Sequence, residues 1–297
     1  MCFDTTASNT GHLTAGCVAI QRELGIPLLW LACRHHIGEV ILDEVWSDLK
    51  IETSKSPDIA IFKEFREKWN HISHGDTNSL SYPKIDRKLQ STKESVLVLL
   101  HEALKAEYTR GDYKELVKLS LLYLTGDCED GFEFARPGAL HKARWMAKLI
   151  YSIKIVLLGE KISAELESGA ILSKTQLMKL QKFVLFSVLV YVPWWLTCPV
   201  ASAAPLNDLK LIATVNAYRK VNKCCSDAAT NAISRHLWYL TEELAPLALF
   251  SHQLDQDIKQ KMAEKLNGLQ KEVTCKLKIR NRYLIKHESH YLGTQKY

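Results

Sequence analysis

The chain opens on an apolar pair, Cys2-Phe3, then turns polar through Asp4-Thr5-Thr6-Ala7-Ser8-Asn9. Thr5, Thr6, Ser8 and Asn9 can cap the backbone of a turn there. Leu13, Cys17, Ile20 and Leu24 recur at helical spacing and predict a helix over 13–24, stopped by Gly25 and Pro27. Leu28 to Cys33 is a short unbroken apolar run, the pattern of a strand buried on both faces. Ile37, Val40, Ile41, Val45 and Leu49 then mark the inward face of a second helix. The opening therefore reads strand–helix–strand–helix. Asp4 stands at the end of the first strand, at the sheet's rim, the edge where chemistry collects in open α/β sheets.

Past a polar linker at 50–58 the period stays helical. Ile61, Phe65, Trp69 and Ile72 stripe a helix over 59–72. After a turn cluster at 73–84, a long helix over 89–109 turns Val96, Leu99, Leu100, Ala103 and Leu104 inward. Another covers 112–124 with Asp112 as its N-cap. A Gly- and Pro-containing loop precedes helices over 139–158 and 174–192. This succession, with no alternating strand pattern, predicts an all-α block over 51–192. Phe183 to Cys198 carries no charge, but it falls short of the roughly 20 residues that cross a bilayer, and Pro193 interrupts it. It reads as a core helix leading into a strand or loop, with no membrane implied. The character changes at Pro193. A helix starts at Asn207-Asp208 and runs to about Lys220, residues 228–240 reach a second aromatic step, and 253–272 is a charged helix. The division is thus 1–50, 51–192, 193–270 and a basic tail over 271–297.

Composition narrows the picture. With 47% apolar residues the chain can bury a substantial core, which excludes wholesale disorder. A net charge of +6 permits a polyanionic partner without requiring one. The cysteines are scattered, with no Cys-x-x-Cys pair and no signal peptide ahead of them, which points to reduced thiols in nucleus or cytoplasm. No Gly-rich phosphate loop, Gly-x-Ser-x-Gly or His-Glu-x-x-His is present, so ordinary nucleotidases, hydrolases and metalloproteases have no motif behind them.

Four constellations could carry chemistry. Two-metal phosphoryl transfer needs carboxylates that converge from distant parts of the chain. Asp4 fits by position, and Glu243 or Asp208 could close such a set, although Asp208 also reads as a plain N-cap and Glu243 as a solvated first turn. Cys33, His35, His36 and Glu39 carry donor atoms, but no second ligand pair stands nearby for structural zinc. Trp145 follows Arg144 and shares a helical stripe with Leu149, Ile153 and Val156, so it reads either as core or as a stacking platform for a base. In the tail, Lys276, Lys278, Arg280, Arg282 and Lys286 alternate with Leu277, Ile279, Tyr283 and Leu284, a segment that could lie along phosphates or stand in solvent.

The Asp4-to-Gly11 turn, followed by a helix, an apolar strand and Cys33-Arg34-His35-His36 at the head of the next helix, resembles the hAT superfamily of DNA transposases. The resemblance implies a mostly α chain with a partial RNase H-like α/β core interrupted by an all-α insertion. It implies three acids holding two divalent ions, Mg²⁺ or Mn²⁺, with Asp4 as the second. The step Trp238-Tyr239-Leu240-Thr241-Glu242-Glu243 is similar to the family's closing acid step, which gives Glu243 that role with Asp208 as the other candidate. Cys33 and His36 become a core signature beside the active site. Arg144-Trp145 resembles the Arg-Trp step of the insertion, with the Trp near a DNA end. The first acid is expected on a strand before residue 1, so the chain reads as N-terminally truncated and catalytically incomplete. DNA is the implied partner. A helical oligomerisation or protein-interaction module without catalysis is the alternative, with a homo-oligomer its natural form.

Overall fold

The computed structural model describes residues 1–10, 15–51, 59–72, 80–108, 110–127, 132–138, 145–159, 161–162, 172–235 and 238–276. The chain is mostly helical. It opens with β1 (Cys2–Phe3), a single helical turn (Ala7–Thr10), α1 (Gly16–Leu24), β2 (Leu31–Ala32) and α2 (Arg34–Asp48). The strands are parallel, Cys2 opposite Leu31 and Phe3 opposite Ala32, so the expected strand–helix–strand–helix order is present. Gly25 ends α1 in the left-handed conformation at φ 64°, donating its N–H to the Gln21 and Arg22 carbonyls.

Two details of the opening differ from the pattern reading. Each strand is two residues long, and Leu29, expected inside a strand buried on both faces, is 47% exposed. On α1 only Cys17 is buried, while Ile20 and Leu24 are 48% and 55% exposed. Among the described residues the sheet has two strands. An apolar run is buried on both faces only where layers cover both.

The helical block follows as α3 (Ala60–Glu67) with a 3₁₀ turn (Trp69–His71), α4 (Gln90–Leu104), α5 (Gly111–Thr125) and α6 (Trp145–Leu157). Of the predicted inward residues, Ile61, Phe65, Trp69, Ile72, Val96, Leu100, Leu149, Ile153 and Val156 are buried, while Leu99, Ala103 and Leu104 are half-buried. Asp112 is not the cap of α5. Arg110 holds that position, and Asp112 lies in the first turn, ion-paired to the Arg110 guanidinium. The carboxylate there still faces the positive end of the helix. Lys154 of α6 is a buried cation, 2.5 Å from Glu115 and donating to the Ala135 carbonyl at 2.7 Å. The Tyr151 hydroxyl donates to the Gly138 carbonyl, so two residues of α6 fasten the segment 132–138.

The central helix, α7 (Lys174–Leu196), begins at a capping box made by Ser173 and Gln176. It does not stop at Pro193. A π-helical stretch, Ser187–Tyr191, passes into Val192–Leu196, and Val192 donates its N–H to the Ser187 carbonyl five residues back. The wide turn resets the ladder just before the residue that cannot donate, so Pro193 falls where a new helical segment starts. This is why the helix runs on to Leu196, and the expected passage into a loop comes only at 197–200. By length and composition α7 could cross a membrane. Its centre instead packs in the core, with Phe183, Val184, Phe186, Val188 and Leu189 fully buried.

The chain closes with α8 (Ala204–Tyr218), α9 (Lys223–Ser234), 3₁₀ turns at Trp238–Leu240 and Ala245–Phe250, and α10 (Gln256–Lys276). Pro205 in the first turn starts α8 ahead of Asn207-Asp208, so Asp208 is not its N-cap. Asn222 caps α9 by accepting from the Cys225 N–H at 3.2 Å. One hydrophobic core runs from Ala32 to Leu244 through opening, block and closing elements alike. α9 lies along α2, joined by Arg235–Glu44 at 2.8 Å and by the Cys224 thiol on Asp48 at 2.6 Å.

Candidate functional site

The site is built where β1 and β2 end. Asp4 follows Phe3 directly and is exposed. Its Oδ1 accepts from the Thr6 hydroxyl at 2.5 Å, the Thr6 N–H at 3.0 Å and the Asn9 amide at 2.8 Å. These bonds, the Thr6 hydroxyl first, hold the carboxyl below its usual pKa, and His36 adds an electrostatic pull in the same direction. Asp4 is therefore an anion at neutral pH, locked by its own turn.

Cys33 caps α2, and its N–H donates to the Phe3 carbonyl at 2.7 Å. His36 is half-buried, with Nδ1 4.0 Å from Glu39 Oε2. His35 stacks on Trp195, ring centroids 6.0 Å apart. Among the described residues no three His, Cys, Asp or Glu side chains group to hold a metal ion, these four included.

Arg34 is the buried residue of this step. Its Nη2 donates to Asp208 Oδ1 at 2.5 Å, and Trp194 Nε1 donates to the same oxygen at 2.9 Å. The guanidinium lies over the rings of Trp194 and Tyr239, 5.0 Å and 5.3 Å from their centroids. The Tyr239 hydroxyl in turn donates to the carbonyl of Ala32, the last residue of β2, at 2.7 Å. Burial raises the Asp208 carboxyl pKa, while Arg34 and the Trp194 indole pull it down. Burial also pushes the neighbouring Cys198 thiol up to about 12, which makes it inert as a nucleophile at neutral pH. α2 reaches this close to α7 because residue 38 is glycine. A Cβ there would meet Trp194 Cζ3 at 2.4 Å and Tyr191 Cε2 at 2.9 Å.

The predicted residues fall in different places. Asp4, Cys33 and His36 come together at the strand ends. Asp208 lies inside the fold, engaged by Arg34 and Trp194. Glu243 is exposed in the turn that follows Tyr239. Trp145 opens α6, whereas Arg144, Lys278, Arg280 and Arg282 lie outside the described residues. Sequence reasoning passed over Arg34, Trp194 and Tyr239. A signal for Arg34 existed: it precedes Ile37 and Ile41 by three and seven positions, so a cation occupies a core-facing stripe and must find an acid.

Comparison with known proteins adds nothing to this geometry: no family model, curated protein or solved structure matches the chain.

Proposed function

We propose that the chain is a transposon-derived protein of the hAT type that engages DNA, with an RNase H-like element at its opening and the helical block as its insertion. The observation that carries this reading is the return of Tyr239 to Ala32 across 207 residues. Three steps singled out for their resemblance, at Asp4, at Cys33–His36 and at Trp238–Glu243, thereby meet around one parallel strand pair. Local propensity gives no reason for that meeting. Asp4, an exposed anion, suits one ligand position for Mg²⁺ or Mn²⁺. Of the two closing candidates Glu243 is the better, because Asp208 already answers Arg34. The described residues supply no grouped set of three donors. DNA engagement without strand transfer is the expected behaviour of these 297 residues.

The test is a duplex-binding titration over a salt series, with and without Mn²⁺. Binding is expected, with log affinity falling linearly in log salt by about 0.9 per phosphate contacted. No binding at low salt would overturn the reading. Mn²⁺-dependent nicking that Asp4→Asn abolishes would extend it to a complete catalyst. A second reading, an interaction module, rests on Ile20, Leu24, Ile26 and Leu29, four large apolar residues 47–55% exposed around the end of α1. It expects one oligomeric species indifferent to DNA, which Leu24→Asp dissociates in sedimentation.

A further inference from the structure

Between α4 and α8 runs a cleft of about 520 Å³, within the size range of small-molecule sites. The α4 wall presents Ser91, Thr92 and Ser95, with Ser91 and Ser95 exposed at its rim. The Ser95 hydroxyl donates to the Ser91 carbonyl at 3.0 Å. Facing it, α8 presents Asn207, Lys210 and Thr214. The Asn207 amide donates to the Thr197 carbonyl at 3.2 Å and the Thr214 hydroxyl to the Lys210 carbonyl at 2.8 Å. The Ser95 and Thr214 hydroxyls and the Asn207 amide nitrogen thus have partners already, so they can face an apolar body without being stranded. Leu189, Pro193 and Trp194, at the junction of the π-helical stretch with the last segment of α7, lie along the same cleft. Pro193 has no N–H for the Leu189 carbonyl, and such interruptions of a helix recur at binding sites.

Charge selects the ligand. Among the described residues, Lys210 is the one ionisable side chain on the cleft lining, and it is exposed. Ser91 to Leu99 and Leu206 to Thr214 are each eight helical rises, roughly 12 Å. We propose that this cleft binds a linear amphiphile with a single anionic head, the head on Lys210 and the hydrocarbon along the half-buried Leu99, Pro193 and Leu206. An ammonium head would meet Lys210 as a like charge, and a neutral head would gain apolar burial alone.

The proposal does not rest on the DNA reading and is tested separately. Decanoate, decanol and decylamine are titrated below their micellar concentrations, with tryptophan fluorescence and thermal shift as readouts. Decanoate is expected to bind roughly ten-fold tighter than decylamine, the difference of one attractive and one repulsive partly exposed pair. Lys210→Glu should reverse that order, and Ser95→Trp, which fills the cleft, should abolish binding of all three. Both positions are exposed, so each variant should keep the parent Tm. Equal affinity for the acid and the amine, decanoate binding that survives Ser95→Trp in a folded variant, or no binding at all would each overturn the proposal. Should Ser95→Trp fail to fold, the reversal in Lys210→Glu decides alone.

Discussion

Arg34 carries a full charge at 5% side-chain exposure, and its stability rests on Asp208 and two aromatic faces. Among the described residues neither its Nε nor its Nη1 has a hydrogen-bond partner, so the ion pair is the main compensation for burying it. Arg34→Met strands the Asp208 carboxylate beside the Trp194 indole and should cost about 3–5 kcal/mol in urea unfolding at neutral pH. The deficit should be pH-dependent. The folded Asp208 pKa is already above its ordinary value, and removing Arg34 raises it further. An acid whose folded pKa is raised stabilises the fold below its unfolded pKa and loses that contribution as pH rises through the folded value. The variant should therefore lie closest to the parent in mild acid and fall furthest behind at alkaline pH. A deficit that does not change with pH would mean that packing, not charge, is what Arg34 supplies.

At the scale of elements, the approach of α2 to α7 depends on a missing side chain. Gly38→Ala brings a methyl group to 2.4 Å from Trp194 Cζ3, which the rigid indole cannot avoid without moving off Asp208. Alanine gains up to about 1 kcal/mol of helix propensity over glycine, and overpacking costs about 1–3. Net destabilisation is expected, with altered tryptophan fluorescence. The capping box at the start of α7 makes a contrasting case, because it is local. Ser173→Ala should cost about 1 kcal/mol and leave the fluorescence unchanged. The segment 132–138 is held to α6 by Lys154 on Ala135 and Tyr151 on Gly138. Lys154→Met removes the first bond and leaves the Glu115 carboxylate without its cation. Amide exchange over 132–138 should then accelerate ahead of the rest of the fold.

Over the whole molecule, one core serves the opening, the block and the closing helices. Urea transitions followed by far-UV circular dichroism and by tryptophan fluorescence should therefore coincide. A fragment ending at residue 192 would cut α7 inside its helical run and expose fully buried side chains such as Phe186 and Leu189, so it should not fold alone. Two resolved transitions would show instead that the block is an independent unit.

Periodicity was enough to place most of the helices and most of their inward faces. That information is local: a stripe such as Ile61, Phe65, Trp69 and Ile72 must be buried by whatever packs on it, whichever element that turns out to be. The turn at Asp4 was legible for the same reason, since all its partners lie within five residues. The position of Asp208 was not. A short acid near a proline reads as a cap, and only an arginine 174 residues away makes it a counter-ion. The exposed faces of α1 and the Leu28–Cys33 run went the other way, because burial needs a covering layer and an apolar pattern does not supply one. Pro193 marked an end in the sequence, yet the core on either side of α7 holds the helix together through a π turn. Which distant residues met was a matter of packing, because those contacts join segments that share no local pattern.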